Sequence, residues 1–410
     1  MQIPWEQRFA DRASRINSSV IREILKHSSA PDVISFAGGL PSPDVFPVAE
    51  FKQACEVVLD EAGPASLQYS PTEGFVPLRE VIAEHSASYG IHVAIENIQL
   101  TSGSQQALNL LGMLFIDPGD YVVVENPTYL GALQAWNAYG AKYLTVPSDE
   151  QGMRTDLIEE VLKKRPRFIY VLPNFQNPSG VTLPLERRQE LVELADKYGV
   201  PIVEDDPYGK LRYFGEHIPP VFVIDKLYRK NSDDQVYGNV IYMSTFSKLL
   251  APGIRMAWVI ADPEVIRKLV FAKQGADLHS PTLNQMIAYE VARDGFLEEY
   301  SKIICATYKE RLQVMLEAME EYFPEGVRWT KPEGGMFLWV TLPEGLDAQE
   351  LLPKAVERKV AYVPGQPFHP DGSGVNTMRV NFSNASPKMI REGIARLGAL
   401  FSEEIEALNN

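Results

Sequence analysis

The sequence predicts an α/β protein with a mostly parallel sheet, followed by a smaller α+β unit. The first observation is a set of four short apolar runs rich in β-branched residues, at 121–124, 168–172, 201–203 and 240–243. Such continuously apolar runs are typical of parallel strands buried on both faces. The second observation is that helical periodicity separates these runs, which favours crossover helices on the sheet. The third is a change after residue 262 towards longer helical segments.

Individual elements follow from the same patterns. The segment 185–198 is amphipathic and ends before Gly199, so we expect a helix that stops there. Residues 296–322 have the spacing of one long amphipathic helix. Further on, strands are expected at 337–340 and 378–382, and a closing helix at 387–408. These last elements make the smaller unit, which we expect the amino-terminal segment to complete.

Composition limits the classes of function. The chain has 410 residues, 45% of them hydrophobic, which is enough for two packed domains. Its 39 basic and 54 acidic residues give a formal charge of -15, which disfavours nucleic acid as a partner. No apolar stretch approaches the roughly 20 residues of a membrane span, and residues 1–15 lack the pattern of a secretory signal, so we expect none. Cys55 and Cys305 stand far apart without metal-ligand spacing, so we expect buried thiols, no metal and a cytoplasmic location.

The segment 244–255 carries the most specific chemical signal. It places Lys248 among the hydroxyl residues Thr245 and Ser247, with Arg255 seven residues beyond the lysine. A lysine that holds pyridoxal phosphate as a Schiff base needs a neutral amine and a fixed phosphate, which the hydroxyls and the guanidinium could bind. Taken alone, the segment could equally be a surface loop with a solvated lysine.

Polar residues also follow the predicted strands. Asp205 and Tyr208 come directly after the run at 201–203, where α/β sheets bind ligands. Asp205 could pair with a protonated pyridine nitrogen and keep the ring an electron sink, while Tyr208 could donate to the ring's phenolic oxygen. The same Asp-Asp-Pro sequence is also typical of a simple turn. Asn177, in a loop with turn signals after another strand, could reach the same oxygen.

A further segment precedes an apolar helical run. Small and hydroxyl residues occupy 101–104, so that Ser104 and Gln105 would begin the helix. A helix amino terminus binds phosphate through its free N–H groups and its dipole. An ordinary N-cap gives the same pattern, so this segment alone leaves both interpretations open.

In their order along the chain, these four segments together resemble the fold-type I pyridoxal phosphate (PLP) enzymes, in particular the class I/II aminotransferases. The resemblance covers nearly all of the sequence. It implies the PLP-dependent transferase fold type I, with a mostly parallel seven-stranded sheet between helices in the large domain, and pyridoxal 5'-phosphate as cofactor. It assigns catalytic roles to Lys248, Asp205 and Tyr208. The cofactor-binding residues that it implies, with Tyr129 stacked on the ring, are Ser104, Gln105, Tyr129, Asn177, Asp205, Tyr208, Thr245, Ser247, Lys248 and Arg255.

Two more residues bear on substrate and assembly. Arg379 matches the family's arginine that binds the substrate α-carboxylate through two parallel hydrogen bonds. Tyr69 resembles the tyrosine that reaches the cofactor phosphate of the neighbouring subunit, which implies a homodimer with shared active sites. Without that resemblance, Arg379 would be a solvated strand residue and Tyr69 a loop aromatic packed on its own domain.

The amino-terminal segment is similar to the 2-aminoadipate and kynurenine aminotransferase branch, at residues 17–25 and 34–41. In that branch the segment covers the substrate, which implies substrate-binding roles for Arg22, Gly39 and Asn177. Arg22 could meet the distal carboxylate of 2-aminoadipate or glutamate, and by swinging outward it could leave space for leucine or an aromatic side chain. Alternatively, Arg22 is a solvent-facing residue of an amphipathic helix.

The resemblance also implies a reaction and a division of the chain. An L-amino acid gives its amino group to the cofactor, with Lys248 moving the proton, and a 2-oxo acid, expected to be 2-oxoglutarate, receives it. Residues 1–60 would be the substrate-covering segment, 61–295 the large PLP-binding domain and 296–410 the small domain. The rivals are an aromatic, kynurenine or branched-chain aminotransferase, a PLP lyase or racemase, and a transcription regulator, which the acidic charge disfavours.

Overall fold

The computed structural model describes residues 3–16, 18, 32–229 and 238–409. In chain order the strands are β1 (Ile34–Ser35), β2 (Ile98–Thr101), β3 (Tyr121–Asn126), β4 (Lys142–Asp149), β5 (Gly152–Met153), β6 (Ile169–Val171), β7 (Ile202–Asp205), β8 (Val240–Thr245), β9 (Ala257–Ile260), β10 (Arg328–Trp329), β11 (Phe337–Thr341), β12 (Val360–Ala361), β13 (Val363–Pro364) and β14 (Thr377–Asn381). The α-helices are α1 (Val48–Ser66), α2 (Val76–Ala87), α3 (Ser104–Phe115), α4 (Leu130–Asn137), α5 (Ile158–Leu162), α6 (Leu185–Tyr198), α7 (Val221–Tyr228), α8 (Pro263–Ala276), α9 (Thr282–Ala292), α10 (Phe296–Tyr322), α11 (Ala348–Glu357) and α12 (Pro387–Asn409).

The larger sheet has the strand order β2-β9-β8-β7-β6-β3-β4-β5. From β8 to β4 each strand runs parallel to the next, and β9 lies antiparallel between β8 and β2. The four apolar runs of the sequence are β3, β6, β7 and β8, as predicted. An eighth strand, the two-residue β5, adds a short antiparallel hairpin at the edge of the expected seven.

Strands β3, β6, β7 and β8 of the larger sheet are buried on both faces, which explains their apolar runs. Successive residues of β3 point to opposite sides. Accordingly, Val122 and Val124 belong to one core cluster and Val123 to another. Helix α6 ends where the sequence predicted, because Gly199 takes a left-handed conformation with a φ of 64°.

The smaller unit consists of β10 to β14 with helices α10, α11 and α12. Four of its strands form an antiparallel sheet in the order β10-β11-β14-β13. The long helix α10 packs along the closing helix α12, and both helices lie where the sequence predicted them. Strand β1 pairs in parallel with β12, so the amino-terminal part of the chain is tied to this unit. Within the described ranges, no helix is both long and apolar enough to cross a membrane.

Candidate active site

The carboxyl ends of the parallel strands bring most of the predicted residues to one edge of the larger sheet. Strand β7 ends at Asp205 and β8 at Thr245, which places Lys248 in the loop that follows. Asn177 lies in the loop after β6, and Tyr129 follows β3. Strand β14 of the smaller unit supplies Arg379. The site therefore lies between the two sheets, at the edge where open α/β sheets bind ligands.

Lys248 is half-buried beside the amino-terminal segment. Its Nζ donates to the carbonyl oxygen of Gly39 at 2.9 Å, so the predicted substrate residue Gly39 does lie beside the lysine. Burial, together with the smaller effects of the Arg379 and Arg255 guanidinium groups, lowers the pKa of Lys248 to about 8. About one tenth of the amine is therefore uncharged at pH 7, far more than for an ordinary lysine, and the neutral amine is the form that acts as a nucleophile.

Asp205 offers one free oxygen in a buried place. Its side chain is 2% exposed, and Oδ2 accepts a hydrogen bond from the Tyr170 hydroxyl at 2.7 Å. Its other oxygen, Oδ1, is buried and has no partner in the described structure. Burial raises the pKa of Asp205 to about 7, and the Tyr170 hydrogen bond opposes that rise. A buried acceptor without a donor fits the N–H of a protonated pyridine ring.

Tyr208, Asn177 and Tyr129 surround the same space. Tyr208 and Asn177 are both buried. Burial raises the pKa of Tyr208, and an interaction with the Asn177 side chain acts against that rise. The Tyr129 ring lies against the backbone of Gly131, where an added Cβ would lie 2.5 Å from the tyrosine Cζ. Gly131 therefore permits the position of the ring that we expect to stack on a cofactor.

The amino terminus of α3 and the Arg255 guanidinium meet at Gly103. This glycine has a φ of 87°, and an added Cβ would lie 2.2 Å from Nη2 of Arg255. The hydroxyl of Ser104 next to it is buried without a partner in the described structure. A helix amino terminus, an unpaired hydroxyl and a guanidinium together fit a phosphate group.

Other predicted phosphate residues hold the loops in place. The side chain of Gln105 donates to the carbonyl oxygen of Gly131 at 2.8 Å, which ties α3 to the start of α4. The Thr245 hydroxyl accepts from the Ser247 N–H at 3.0 Å and lies 3.1 Å from the carbonyl oxygen of Met256. These contacts fix the turn that presents Ser247 and Lys248.

Arg379 is a buried cation without a counter-charge. It is 2% exposed, and it donates to Oδ1 of Asn177 at 2.9 Å and to the carbonyl oxygen of Ala37 at 2.8 Å. Its Nε has no partner, and among the described residues no carboxylate forms an ion pair with it. The guanidinium lies over the rings of Phe337, at 4.3 Å, and Phe368, at 5.2 Å. Burial lowers its pKa to about 10, so it remains charged and fits a carboxylate ligand.

One predicted residue, Tyr69, lies apart from this cluster. Tyr69 is on the surface, 79% exposed, with its ring edge-on to His279 at a centroid distance of 5.7 Å. Arg22 lies outside the described residues. Within the ranges that the structure covers, no group of three or more histidine, cysteine or acidic side chains could hold a metal ion.

Sequence reasoning missed three residues of the site. Tyr170, Phe337 and Phe368 contact Asp205 or Arg379 directly. Tyr170 and Phe337 stand inside the predicted strands, where a buried aromatic residue is the ordinary core filling. The only sequence pattern that could have indicated these two residues is the alternation of a strand, in which every second side chain lies on the same face.

This fold and this site together define a PLP-dependent transaminase of fold type I. Comparison with known proteins agrees. Residues 31–397 match the family described as aminotransferase class I and II. The chain is 46% identical to the 2-aminoadipate transaminase of Thermus thermophilus, over 97% of each chain. It is also 46% identical to aromatic-amino-acid aminotransferase 1 of Thermococcus litoralis, over 98% of this chain and 96% of that one.

A solved structure extends the comparison. The structure of LysN, the alpha-aminoadipate aminotransferase of Thermus thermophilus complexed with N-(5'-phosphopyridoxyl)-L-leucine, superposes with a TM-score of 0.92. The two chains are 43% identical, and the match covers 99% of this chain and 100% of the other. The protein belongs to the class I and II aminotransferases, and it moves amino groups between amino acids and 2-oxo acids.

Proposed function

We propose that the protein transfers the amino group of L-2-aminoadipate, and of leucine or aromatic amino acids, to 2-oxoglutarate. The observation that carries this proposal is Arg379, a buried guanidinium whose charge no described carboxylate balances. It is tied to Asn177, whose side chain also interacts with Tyr208. The α-carboxylate of an amino acid would supply the missing charge. The likeness to a 2-aminoadipate transaminase and to an aromatic aminotransferase supports the choice of donors.

Bound PLP would supply an electron sink for the charge left when the α-proton is removed. In this proposal, Lys248 Nζ takes that proton and returns it, because its lowered pKa of about 8 leaves part of the amine uncharged near neutral pH. Oδ1 of Asp205 would hold the pyridine N–H, and the hydroxyl of Tyr208 the phenolic oxygen. Arg379 would fix the substrate carboxylate, so that the α-carbon lies within reach of the lysine.

The phosphate of the cofactor would bind between α3 and the loop after β8. The groups that we propose for it are the amino terminus of α3 at Ser104 and Gln105, the Ser247 hydroxyl and the Arg255 guanidinium. The unpaired Ser104 hydroxyl and the contact of Arg255 with Gly103 support this assignment. Thr245 would act through Ser247, since its hydroxyl already serves the turn.

A donor panel tests the proposal. L-Amino acids are compared with 2-oxoglutarate as acceptor, and kcat/KM is measured for each. We expect turnover of 2-aminoadipate, leucine and aromatic donors, with conversion of the bound cofactor to its amine form when the acceptor is withheld. A lyase would release ammonia and a racemase would form the D-amino acid. Either product as the main one, without the amine form, would contradict transamination.

The breadth of donors depends on Arg22 in this proposal. A guanidinium that pairs with the distal carboxylate of 2-aminoadipate, and turns away for leucine, would let one pocket serve both substrates. Arg22→Ala should therefore lower kcat/KM for 2-aminoadipate and leave leucine nearly unchanged. An unaltered ratio of the two turnover rates would refute the role.

We further propose that the protein is a homodimer with shared active sites. Tyr69 is exposed, and so are Leu67, two positions before it, and Leu278, which precedes the His279 that the Tyr69 ring contacts. We propose that these apolar side chains face a second copy. The Tyr69 hydroxyl would reach the phosphate of the partner's cofactor. The free thiols of Cys55 and Cys305 support a cytoplasmic location. The division into 1–60, 61–295 and 296–410 stays a prediction.

Complementation between subunits tests the shared site. Lys248→Ala and Tyr69→Ala chains should each show little activity. After unfolding and refolding together they should regain activity, because a mixed dimer contains one site with both residues intact. Refolding each variant alone is the control. A mixture no more active than the average of the two variants would show that Tyr69 serves its own chain.

A further inference from the structure

Asp205 is held by a tyrosine that the reaction does not use directly. The hydroxyl of Tyr170 donates to Oδ2 of Asp205 at 2.7 Å, across the neighbouring strands β6 and β7. Because Oδ2 is taken, only Oδ1 remains to accept from a ligand. The tyrosine side chain is fully buried, so water does not compete for this hydrogen bond.

The position of the Tyr170 hydroxyl is fixed by the core. Its ring packs edge-on against Trp136, with ring centroids 5.0 Å apart. The indole N–H of Trp136 donates in turn to the carbonyl oxygen of Leu108 in α3, at 2.9 Å. Burial and the nearby Asp205 raise the pKa of Tyr170 well above its ordinary value. The phenol therefore stays protonated, and it can only donate to the carboxylate.

We propose that Tyr170 is a positioning residue that keeps Asp205 ionised and turns its Oδ1 towards the pyridine nitrogen. This inference rests on the proposed function, because it assigns a role towards bound PLP. A hydrogen bond donated to a carboxylate favours its charged form over the neutral acid. A charged Asp205 in turn keeps the proton on the ring nitrogen, where it strengthens the electron sink.

The charges determine the direction in which the pKa of the link between cofactor and Lys248 changes. A proton on the ring nitrogen disfavours a second proton on the nearby link between cofactor and Lys248, and so lowers the pKa of that link. Without the Tyr170 hydroxyl, the pKa of Asp205 rises. The carboxylate then draws the proton of the ring nitrogen more strongly towards itself. The ring then loses positive charge, and the pKa of the link rises. Of the neighbouring groups, Asp206 acts on Asp205 in the same sense as burial, while Tyr129 and Tyr208 face it as neutral phenols.

The chain offers a matched control one strand away. Tyr242 in β8 is also buried, and its hydroxyl donates to Oδ2 of Asp206 at 3.3 Å. Tyr242→Phe therefore also removes a hydroxyl that donates to a buried aspartate, but at Asp206, whose other oxygen already accepts from Asn174 at 3.0 Å. A merely structural role of Tyr170 would make the two variants alike.

The test follows the visible absorbance of the bound cofactor against pH in the parent, Tyr170→Phe and Tyr242→Phe holoenzymes. For Tyr170→Phe we expect the pH at the midpoint of the absorbance change to lie about 0.5 to 1 pH unit above that of the parent. This shift corresponds to the free energy of one buried hydrogen bond. Tyr242→Phe should keep the parental midpoint. Replacing Tyr170 alone by 3-fluorotyrosine, a stronger donor, should move the midpoint downwards and keeps the test open if Tyr170→Phe does not fold.

Three outcomes would overturn the inference. An unchanged midpoint in Tyr170→Phe, or the same upward shift in Tyr242→Phe, removes the role of Tyr170 but leaves the transaminase intact. A parent protein without any pH-dependent visible band would sink the proposed cofactor chemistry, and this inference with it. The dissociation constant of PLP, measured for each apo variant, separates a loss of affinity from a change in protonation.

Discussion

Lys248 donates a hydrogen bond to the backbone carbonyl of Gly39, which is 209 positions earlier in the chain. The carbonyl oxygen is a neutral acceptor, so this hydrogen bond does not hold the lysine in its charged form as a carboxylate would. The contrast is Lys273, a fully buried lysine whose Nζ contacts both carboxylate oxygens of Asp277, at 2.9 and 3.0 Å. Burial lowers the pKa of both lysines, but the Asp277 carboxylate opposes that effect at Lys273, whereas two guanidinium groups add to it at Lys248.

The attachment of PLP to the apo protein should therefore depend on pH. The neutral amine is the nucleophile, and its share rises as the pH approaches the Lys248 pKa of about 8. We expect the rate constant for attachment to rise about tenfold per pH unit below that value and to level off above it. Stopped-flow absorbance measures the rate. A rate that still climbs steeply up to about pH 10, the range of an unperturbed lysine, would contradict the account.

Gly103→Ala should weaken the binding of the cofactor phosphate. An added methyl group would lie 2.2 Å from Nη2 of Arg255 and would force the guanidinium to move. We expect the PLP dissociation constant to rise at least about tenfold, since a charge-assisted hydrogen bond contributes about 1.5 kcal/mol or more. Gly119→Ala is the matched control, because Gly119 also has a positive φ but no atom within 4 Å. Equal losses in both variants would assign the effect to backbone strain alone.

Arg379→Lys should reduce the preference for substrates that carry an α-carboxylate. A lysine keeps the charge but loses the planar pair of donors, which costs about 3 kcal/mol, or roughly 100-fold in kcat/KM. The control substrate is the amine that has the same side chain as the amino acid but no carboxylate. Its slow turnover should be the same in both proteins. If the variant slowed the amine as much as the amino acid, the arginine would be holding the fold instead of the carboxylate.

Glu125→Gln should change how the stability of the apo protein depends on pH. Burial raises the pKa of Glu125 from 4.5 to about 8, so the folded state binds a proton more tightly than the unfolded chain between those values. This group therefore costs the parent stability as pH rises through that window, by up to about 1.4 kcal/mol per unit. Glutamine does not titrate, so the stability of the variant relative to that of the parent should increase from about pH 5 to pH 8.

Thermal unfolding of the apo proteins at both ends of that range checks the expectation. Glu325→Gln, at an exposed position, is the control and should follow the parent. A Glu125→Gln variant whose midpoint keeps a constant offset from the parent at both pH values would show that the buried acid does not titrate there.

Local signals were sufficient to predict much of the fold. The helix 185–198 ends at Gly199 because a left-handed residue stops the ladder, and glycine in the sequence shows where. The parallel strands β3, β6, β7 and β8 follow from apolar runs, whereas the parallel strand β4 contains polar residues throughout and was not predicted. The edge strand Gly152–Met153 could not be predicted, because two residues are too few to show any alternation.

The site was predictable where the chemistry stands at the end of a strand, as for Asp205 and Lys248. The contact between Arg379 and Asn177 joins residues 202 positions apart, and no periodicity predicts such a pair. Only the family resemblance predicted that both residues belong to one site. Tyr170 escaped notice because, in a buried strand, a tyrosine that serves an acid has the same sequence pattern as one that fills the core.

The central claim is that a single amine, Lys248, carries the cofactor. Borohydride reduction of the yellow holoenzyme, followed by peptide mapping, tests it most directly, because reduction makes the link permanent. We expect the phosphopyridoxyl group on the peptide that contains Lys248, with the fully buried Lys273 unmodified. A label on Lys273 or any other lysine, with Lys248 free, would contradict the account.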